Sequence, residues 1–134
     1  MSTLWLRHTP SSAAVARRRV LAAFGAAGVA GEPAQDAALI VSELVGNAVR
    51  HAAPLPSGQL AVHWSVDRHG YSVSVTDGGA STPATRRIAV RPAGGKDPSG
   101  RGLRIVAALA DSWGVADEAG ATTVWARTRM PRAS

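Results

Sequence analysis

Cysteine is absent from this chain of 134 residues. Its absence excludes a disulfide framework, a thiolate metal site and a thiol nucleophile. The four histidines include no closely spaced helical pair, so the sequence gives no support to a zinc site. No apolar run approaches the roughly 20 residues that a membrane-spanning helix needs. These absences leave a single domain over residues 1–134, with enough apolar residues (46%) for one core.

Acidic residues are few, nine against fifteen basic ones, which gives a net charge of +6. Such a charge favours an anionic partner: nucleic acid, a phosphate or an acidic protein. The arginines are spread along the chain without interleaved aromatic residues, so we expect no direct binding of nucleic acid. Part of the arginine excess also fits a GC-rich coding bias.

The run Arg17-Arg18-Arg19 before an alanine- and glycine-rich stretch has some likeness to a twin-arginine export signal. The stretch is weakly apolar and starts well inside the chain. We therefore expect a cytoplasmic protein that does not engage a membrane. The three arginines then lie on a solvated helix face or on a partner-binding face.

Hydrophobic periodicity predicts alternating groups of helices and strands. The predicted helices are 12–27, 33–52 and 101–110, and the predicted strands are 4–8, 60–66, 71–76, 112–116 and 122–128. Ser11 and Ser12 are candidate caps of the first helix. Trp64, Trp113 and Trp125 follow strand patterns and are expected in the core.

A long segment rich in glycine and proline, residues 77–100, lacks periodicity. A loop of this length in a compact domain is usually functional. We interpret residues 80–99 as a lid that is mobile without ligand, and residues 129–134 as a short C-terminal tail.

Glu43 and Asn47 form the first motif, because they lie one turn apart on the second predicted helix and share a face. A carboxylate and a carboxamide so placed can hold a hydrated Mg²⁺ and orient a nucleophile. Gly46 costs about 0.5–1 kcal/mol relative to alanine in a helix interior. A ligand or another backbone close by would explain that cost. The same pattern also fits an ordinary amphipathic helix.

The second motif is Asp77-Gly78-Gly79, directly after a predicted strand. A carboxylate there can accept a hydrogen bond from the amino group of adenine, whereas guanine presents an acceptor and is repelled. An Asp-Gly turn without a ligand is the other interpretation.

The third motif, Gly100-Arg101-Gly102-Leu103, opens the last predicted helix. Free backbone N–H groups at a helix start bind phosphate. Neither the dinucleotide-binding fingerprint nor the phosphate-loop signature is present.

In order and spacing, the three motifs resemble those of the GHKL ATP-binding family of gyrase, MutL and sensor histidine kinases. The likeness covers about residues 10–128 and is greatest to the small anti-sigma-factor serine/threonine kinases. The stretches that carry it are SELVGNAVRHA, VTDGG, GRGLRIVAALADSWGV and TTVWAR. The resemblance implies an α/β two-layer sandwich, in which about three helices cover one face of a mixed, mainly antiparallel sheet.

The resemblance also implies roles for single residues. Asn47 is expected to ligate Mg²⁺, and Glu43 to be the catalytic general base or to position it. Asp77 is expected to bind the adenine amine, with Gly79 beside the base and Thr123 near Asp77. The remaining residues that the resemblance places at ATP are Gly100, Arg101, Gly102, Leu103 and His51, where His51 alternatively caps its helix.

Two positions depart from the family pattern. Ser81 stands where the family usually has a further glycine, and Gly46 stands where it usually has a threonine or a similar residue. Neither change removes a ligand group.

The resemblance implies an ATP- and Mg²⁺-dependent kinase that phosphorylates Ser or Thr of an anti-sigma-factor antagonist, sequesters a sigma factor, or does both. A homodimer is possible in this family. The alternative is a non-catalytic module that binds ATP and acts by stoichiometric partner binding.

Overall fold

The computed structural model describes residues 1–79 and 103–130. The predicted lid (80–99) and the motif residues Gly100, Arg101 and Gly102 lie outside the described residues, as does most of the predicted tail.

Five strands and three helices make up the described part of the chain. They follow in the order β1 (Ser2–Arg7), α1 (Ser12–Ala26), α2 (Glu32–His51), β2 (Gln59–Val66), β3 (Gly70–Asp77), α3 (Arg104–Leu109), β4 (Ser112–Glu118) and β5 (Ala121–Arg129). Each predicted element is therefore present. The last helix was predicted from residue 101, and its helical residues begin at Arg104.

The sheet has the strand order β1-β2-β3-β5-β4. All four pairings are antiparallel. The two-layer sandwich is thus confirmed. We expected a mixed, mainly antiparallel sheet, and within the described residues every strand pairing is antiparallel.

One face of the sheet packs against the helices, because apolar side chains alternate along each strand. On β3 the buried residues Tyr71, Val73 and Val75 alternate with half-buried serines and a threonine. Helix α2 presents a wide apolar stripe to this face, as expected for a helix with buried residues at helical spacing. Its buried apolar residues are Ala34, Ala37, Ala38, Ile40, Val41, Leu44, Val45 and Ala48.

Helix α1 closes the core through Phe24, whose ring meets Tyr71 edge to face at 5.3 Å. Ser11 occupies the N-cap position of α1 without a side-chain hydrogen bond. Ser12 does not cap the helix either, since its hydroxyl donates to the carbonyl oxygen of Arg7 at 2.6 Å. This bond joins the start of α1 to the end of β1.

The tryptophans divide between the two faces of the sheet. Trp113 is buried and Trp64 packs half-buried against the core, as expected. The expectation was wrong for Trp125, which pairs with Ser74 on the face away from the helices. Strand alternation is the reason, because the neighbours Val124 and Ala126 take the buried positions.

The three arginines Arg17, Arg18 and Arg19 are exposed on α1. None of the described helices is long and apolar enough to cross a membrane.

We expect Tyr71 to make stability fall at alkaline pH. Burial raises the pKa of its hydroxyl. The full contribution of the neutral hydroxyl to the free energy of unfolding is present below the unfolded-state pKa of about 10. This contribution is lost as the pH rises through the higher folded-state pKa. The free energy of unfolding in urea should therefore fall above about pH 10, and it should fall less in Tyr71→Phe. Equal losses in both proteins would contradict this assignment.

Candidate functional site

Two backbone hydrogen bonds join the chain that follows α2 to the glycines that follow β3. Gly78 N donates to the carbonyl oxygen of Ala53 at 2.8 Å, and Ala53 N donates to that of Gly79 at 3.0 Å. The first two sequence motifs therefore meet at one end of the sandwich.

Both glycines are required by the packing at this junction. A Cβ on Gly78 would lie 2.0 Å from the carbonyl oxygen of Pro54, which is a backbone atom that cannot swing away. Gly79 has a φ of +82°, a left-handed conformation that other residues rarely adopt, and a Cβ there would lie 3.1 Å from Thr122 Oγ1. Among the described residues, the atoms nearest to a Cβ at these glycines belong to the backbone of Pro54 and the side chain of Thr122.

Asp77 lies at the end of β3 on the helix-covered face and is 1% exposed. Its Oδ1 accepts a hydrogen bond from Gly79 N at 2.7 Å. An ionised carboxylate has about four acceptor positions, so it can accept from several donors at once. Asp77 is therefore a buried hydrogen-bond acceptor at the end of β3.

The threonine beside Asp77 is Thr122, whereas the resemblance implied Thr123. Thr122 pairs directly with Asp77 in the β3–β5 register, is buried, and donates its hydroxyl to Asp117. Thr123 points to the other face of the sheet, where its hydroxyl lies 2.7 Å from that of Thr76. A one-residue offset along a strand moves a side chain to the opposite face.

Asn47 is 2% exposed on α2. Its Oδ1 accepts a hydrogen bond from Arg50 Nη2 at 3.2 Å, while its Nδ2 has no partner among the described residues. If the Asn47 amide were rotated by 180°, its Nδ2 would face the guanidinium of Arg50, and both groups are donors. In either orientation, an N–H group is left without an acceptor. Leaving such a group unsatisfied costs about 1–3 kcal/mol, and an acceptor supplied by a ligand would remove that cost.

Arg50 is a site residue that the motif analysis missed. Its guanidinium lies against Gly46, since a Cβ on this glycine would be 2.9 Å from Arg50 Nη1. We had expected a ligand or another backbone segment near Gly46. Among the described residues, its neighbour is instead the flexible side chain of Arg50. The i, i+3 spacing of Asn47 and Arg50 was the available signal.

The other predicted residues of α2 lie on either side of Asn47. Glu43 is half-buried one turn earlier, and His51 is the exposed last residue of the helix. The imidazole of His51 makes no hydrogen bond within the described residues, so the capping role is not seen there. The carbonyl of Ala48 instead accepts from Ala52 N at 3.1 Å and lies 2.9 Å from His8 Nε2.

Leu103 stands at the start of α3 and is 2% exposed. Its carbonyl oxygen accepts from Ala107 N at 2.9 Å, which begins the helical hydrogen bonding. Helix α3 contacts α2, with Val106 fully buried. Leu103, the last residue of the third motif, is therefore held in the same helical layer as Asn47.

Together these elements place a buried carboxylate and a buried carboxamide at one end of the sandwich. Asp77 suits a ligand that offers an N–H donor. Asn47 offers an oxygen of the kind that Mg²⁺ prefers and an unsatisfied N–H₂ group for an anionic oxygen. The donor set therefore fits a nucleotide with a bound magnesium ion.

Comparison with known proteins identifies the domain family and shows a similar fold. The family model for the histidine kinase-like ATPase domain matches residues 6–128. The crystal structure of the RsbU and RsbW domains of Rv1364c from Mycobacterium tuberculosis is similar, with a TM-score of 0.66 and 21% identity. The match covers 98% of this chain but only 34% of that one, so this chain spans about a third of it. No curated protein sequence gives a significant match.

Gly78→Ala should destabilise the domain by about 1–3 kcal/mol, because the new Cβ forces the junction apart. Gly25→Ala is the matched control, since nothing lies within 4 Å of a Cβ at that position of α1. The control should gain about 0.5–1 kcal/mol from helix propensity. Urea unfolding of both variants measures the difference. A Gly78→Ala protein as stable as the wild type would show that the junction is not tight.

Proposed function

The chain belongs to the family of histidine kinase-like ATPase domains, and on that premise we propose that it binds Mg·ATP and phosphorylates Ser or Thr of an anti-sigma-factor antagonist, with or without sequestering a sigma factor. The observation that carries the nucleotide part is Asp77, buried and fixed by its bond to Gly79 at the junction of β3 and α2. The partner class is supported by the resemblance of the hallmark stretches to anti-sigma-factor kinases.

Asp77 sets the preference for the base. Its carboxylate accepts from the exocyclic amine of adenine, whereas the carbonyl oxygen of guanine at the equivalent position repels it. Thr122 lies opposite Asp77 and against Gly79, so it belongs to the same end of the proposed nucleotide site.

Asn47 serves the phosphate end in this proposal. Its Oδ1 would hold Mg²⁺, and its Nδ2 would donate to a phosphate oxygen. Arg50 donates to the same Oδ1, so its positive charge would repel a metal ion held there unless the guanidinium moved away. The ion, when bound, neutralises charge on the phosphates.

Glu43 acts on the acceptor protein. One helical turn separates it from Asn47, so both side chains lie on the same side of α2. Its carboxylate takes the proton from the Ser or Thr hydroxyl as the hydroxyl oxygen attacks the γ-phosphorus of ATP. The bond between that phosphorus and the bridging oxygen breaks, and ADP leaves. This role predicts that Glu43 affects the rate of transfer and leaves nucleotide affinity unchanged.

Asp77→Asn should weaken ATP binding about 10- to 150-fold, because one charge-assisted hydrogen bond of roughly 1.5–3 kcal/mol is lost and a donor then faces a donor. Isothermal titration calorimetry with ATP and GTP measures the affinities and the base preference. Asp67→Asn is the matched control, because this half-exposed residue lies in the turn before β3, at the opposite end of that strand from Asp77. Unchanged ATP affinity in Asp77→Asn would remove the basis of the proposal.

Glu43→Gln should lower phosphate transfer by about 10²–10⁴-fold, the usual contribution of a general base. ATP affinity should stay near the wild-type value, whereas Asn47→Ala should lose affinity. The assay is radiolabel transfer from ATP to an antagonist protein captured with ATP present, and Glu118→Gln, an exposed position on β4, is the control. If the wild type binds ATP and its partner but never transfers phosphate, the non-catalytic binding module is the correct function.

A further inference from the structure

A basic pocket lies at the end of the sheet opposite Asp77. It has a volume of about 510 Å³ and is lined by Arg68, His69, Arg127, Arg129 and Met130. Strand β3 runs from Gly70, beside this pocket, to Asp77 over eight residues. The pocket is therefore about 25 Å from the proposed adenine site.

The backbone around the basic pocket is fixed from two sides. Asp67 Oδ1 accepts from His69 N at 2.7 Å and from Gly70 N at 2.9 Å, which holds the turn between β2 and β3. Met130 N donates to the carbonyl oxygen of His69 at 3.0 Å, so the end of β5 is tied to the same turn. The lining side chains thus extend from a preorganised frame.

Positive charge dominates the lining. Arg127 Nη2 lies 3.7 Å from Asp67 Oδ2, and both side chains are about half exposed. Arg68 and Arg129 have no ion pair within residues 1–79 and 103–130. Three guanidinium groups around one pocket repel one another until an anion binds, and their planar forks match the geometry of phosphate oxygens.

Two carboxylates limit the size of that anion. Asp67 lies beside the lining residue Arg127, and a hydrogen bond from the backbone N–H of His69 lowers the pKa of its carboxyl, which keeps it ionised at neutral pH. Asp111, the residue before β4, lies beside the end of β5, where its Oδ2 accepts from Arg129 N at 2.6 Å. A long polyanion such as RNA would be repelled at these positions, whereas a single phosphate group can sit among the arginines alone.

We propose that this pocket binds one phosphate monoester, carried either by a phosphorylated Ser or Thr side chain or by a nucleotide monophosphate. The inference does not depend on the ATP site, which lies at the other end of the sheet. It assigns a ligand to residues for which the proposed kinase reaction has no use.

Nuclear magnetic resonance of the ¹⁵N-labelled chain tests this site. The probe is inorganic phosphate at constant ionic strength, with chloride as the reference anion. We expect saturable shifts of the amides of residues 67–70 and 127–130. Arg129→Gln and Arg68→Gln should each weaken phosphate binding about ten-fold or more, the lower limit for one lost charge-assisted hydrogen bond. Arg18→Gln, on the exposed face of α1, should change nothing.

Two further ligands identify the source of the phosphate. O-phosphoserine and AMP are titrated into the Asp77→Asn protein, in which the proposed adenine contact is removed. Saturable binding of either one at residues 67–70, weakened by Arg129→Gln, supports the site and names its source. Chemical-shift changes that do not saturate with ligand concentration overturn the proposed site. Changes that Arg18→Gln reduces as much as Arg129→Gln does also overturn it. Tighter binding of single-stranded RNA with a steep salt dependence also overturns it, in favour of nucleic acid.

Discussion

The pair of backbone hydrogen bonds between Ala53 and the glycines Gly78 and Gly79 is the constraint on which the candidate site depends. It ties the end of α2 to the end of β3, although the two segments lie about 25 residues apart. Gly78 leaves no room for a side chain because the carbonyl of Pro54 is in contact with it. The buried carboxylate of Asp77 and the buried carboxamide of Asn47 can serve one ligand only because this junction holds their elements together.

The alternation of side chains along the strands then places different groups on the two faces of the sheet. Asp77 and Thr122 point toward the helices, whereas Thr76, Thr123 and Trp125 point away. The groups that we propose bind the nucleotide are therefore on the helix-covered face. The arginines of β5 extend from the far end of the sheet, which keeps the basic pocket separate from the phosphate end of the proposed ATP site.

The order of elements and the core could be predicted from periodicity, because α2 and β3 carry strong patterns of period 3.6 and 2. Placing Asp77 and Asn47 in one site required the likeness to known ATP-binding domains, since each motif alone also fits an ordinary turn or helix. The error at Thr123 arose because adjacent threonines differ only in the face they occupy, which register decides. Arg50 was missed because its role depends on a side-chain contact with Asn47 that spacing alone does not specify.

The most direct test of the account is where a metal–nucleotide complex lies on the folded chain. Mn·ATP can replace Mg·ATP, and the paramagnetic ion broadens ¹⁵N–¹H signals of nearby groups. The account predicts strong broadening of the Asn47 carboxamide and of the amides of residues 43–50, with little effect at residues 67–69. Unaffected Asn47 signals at saturating Mn·ATP, or broadening centred on the basic pocket, would contradict it.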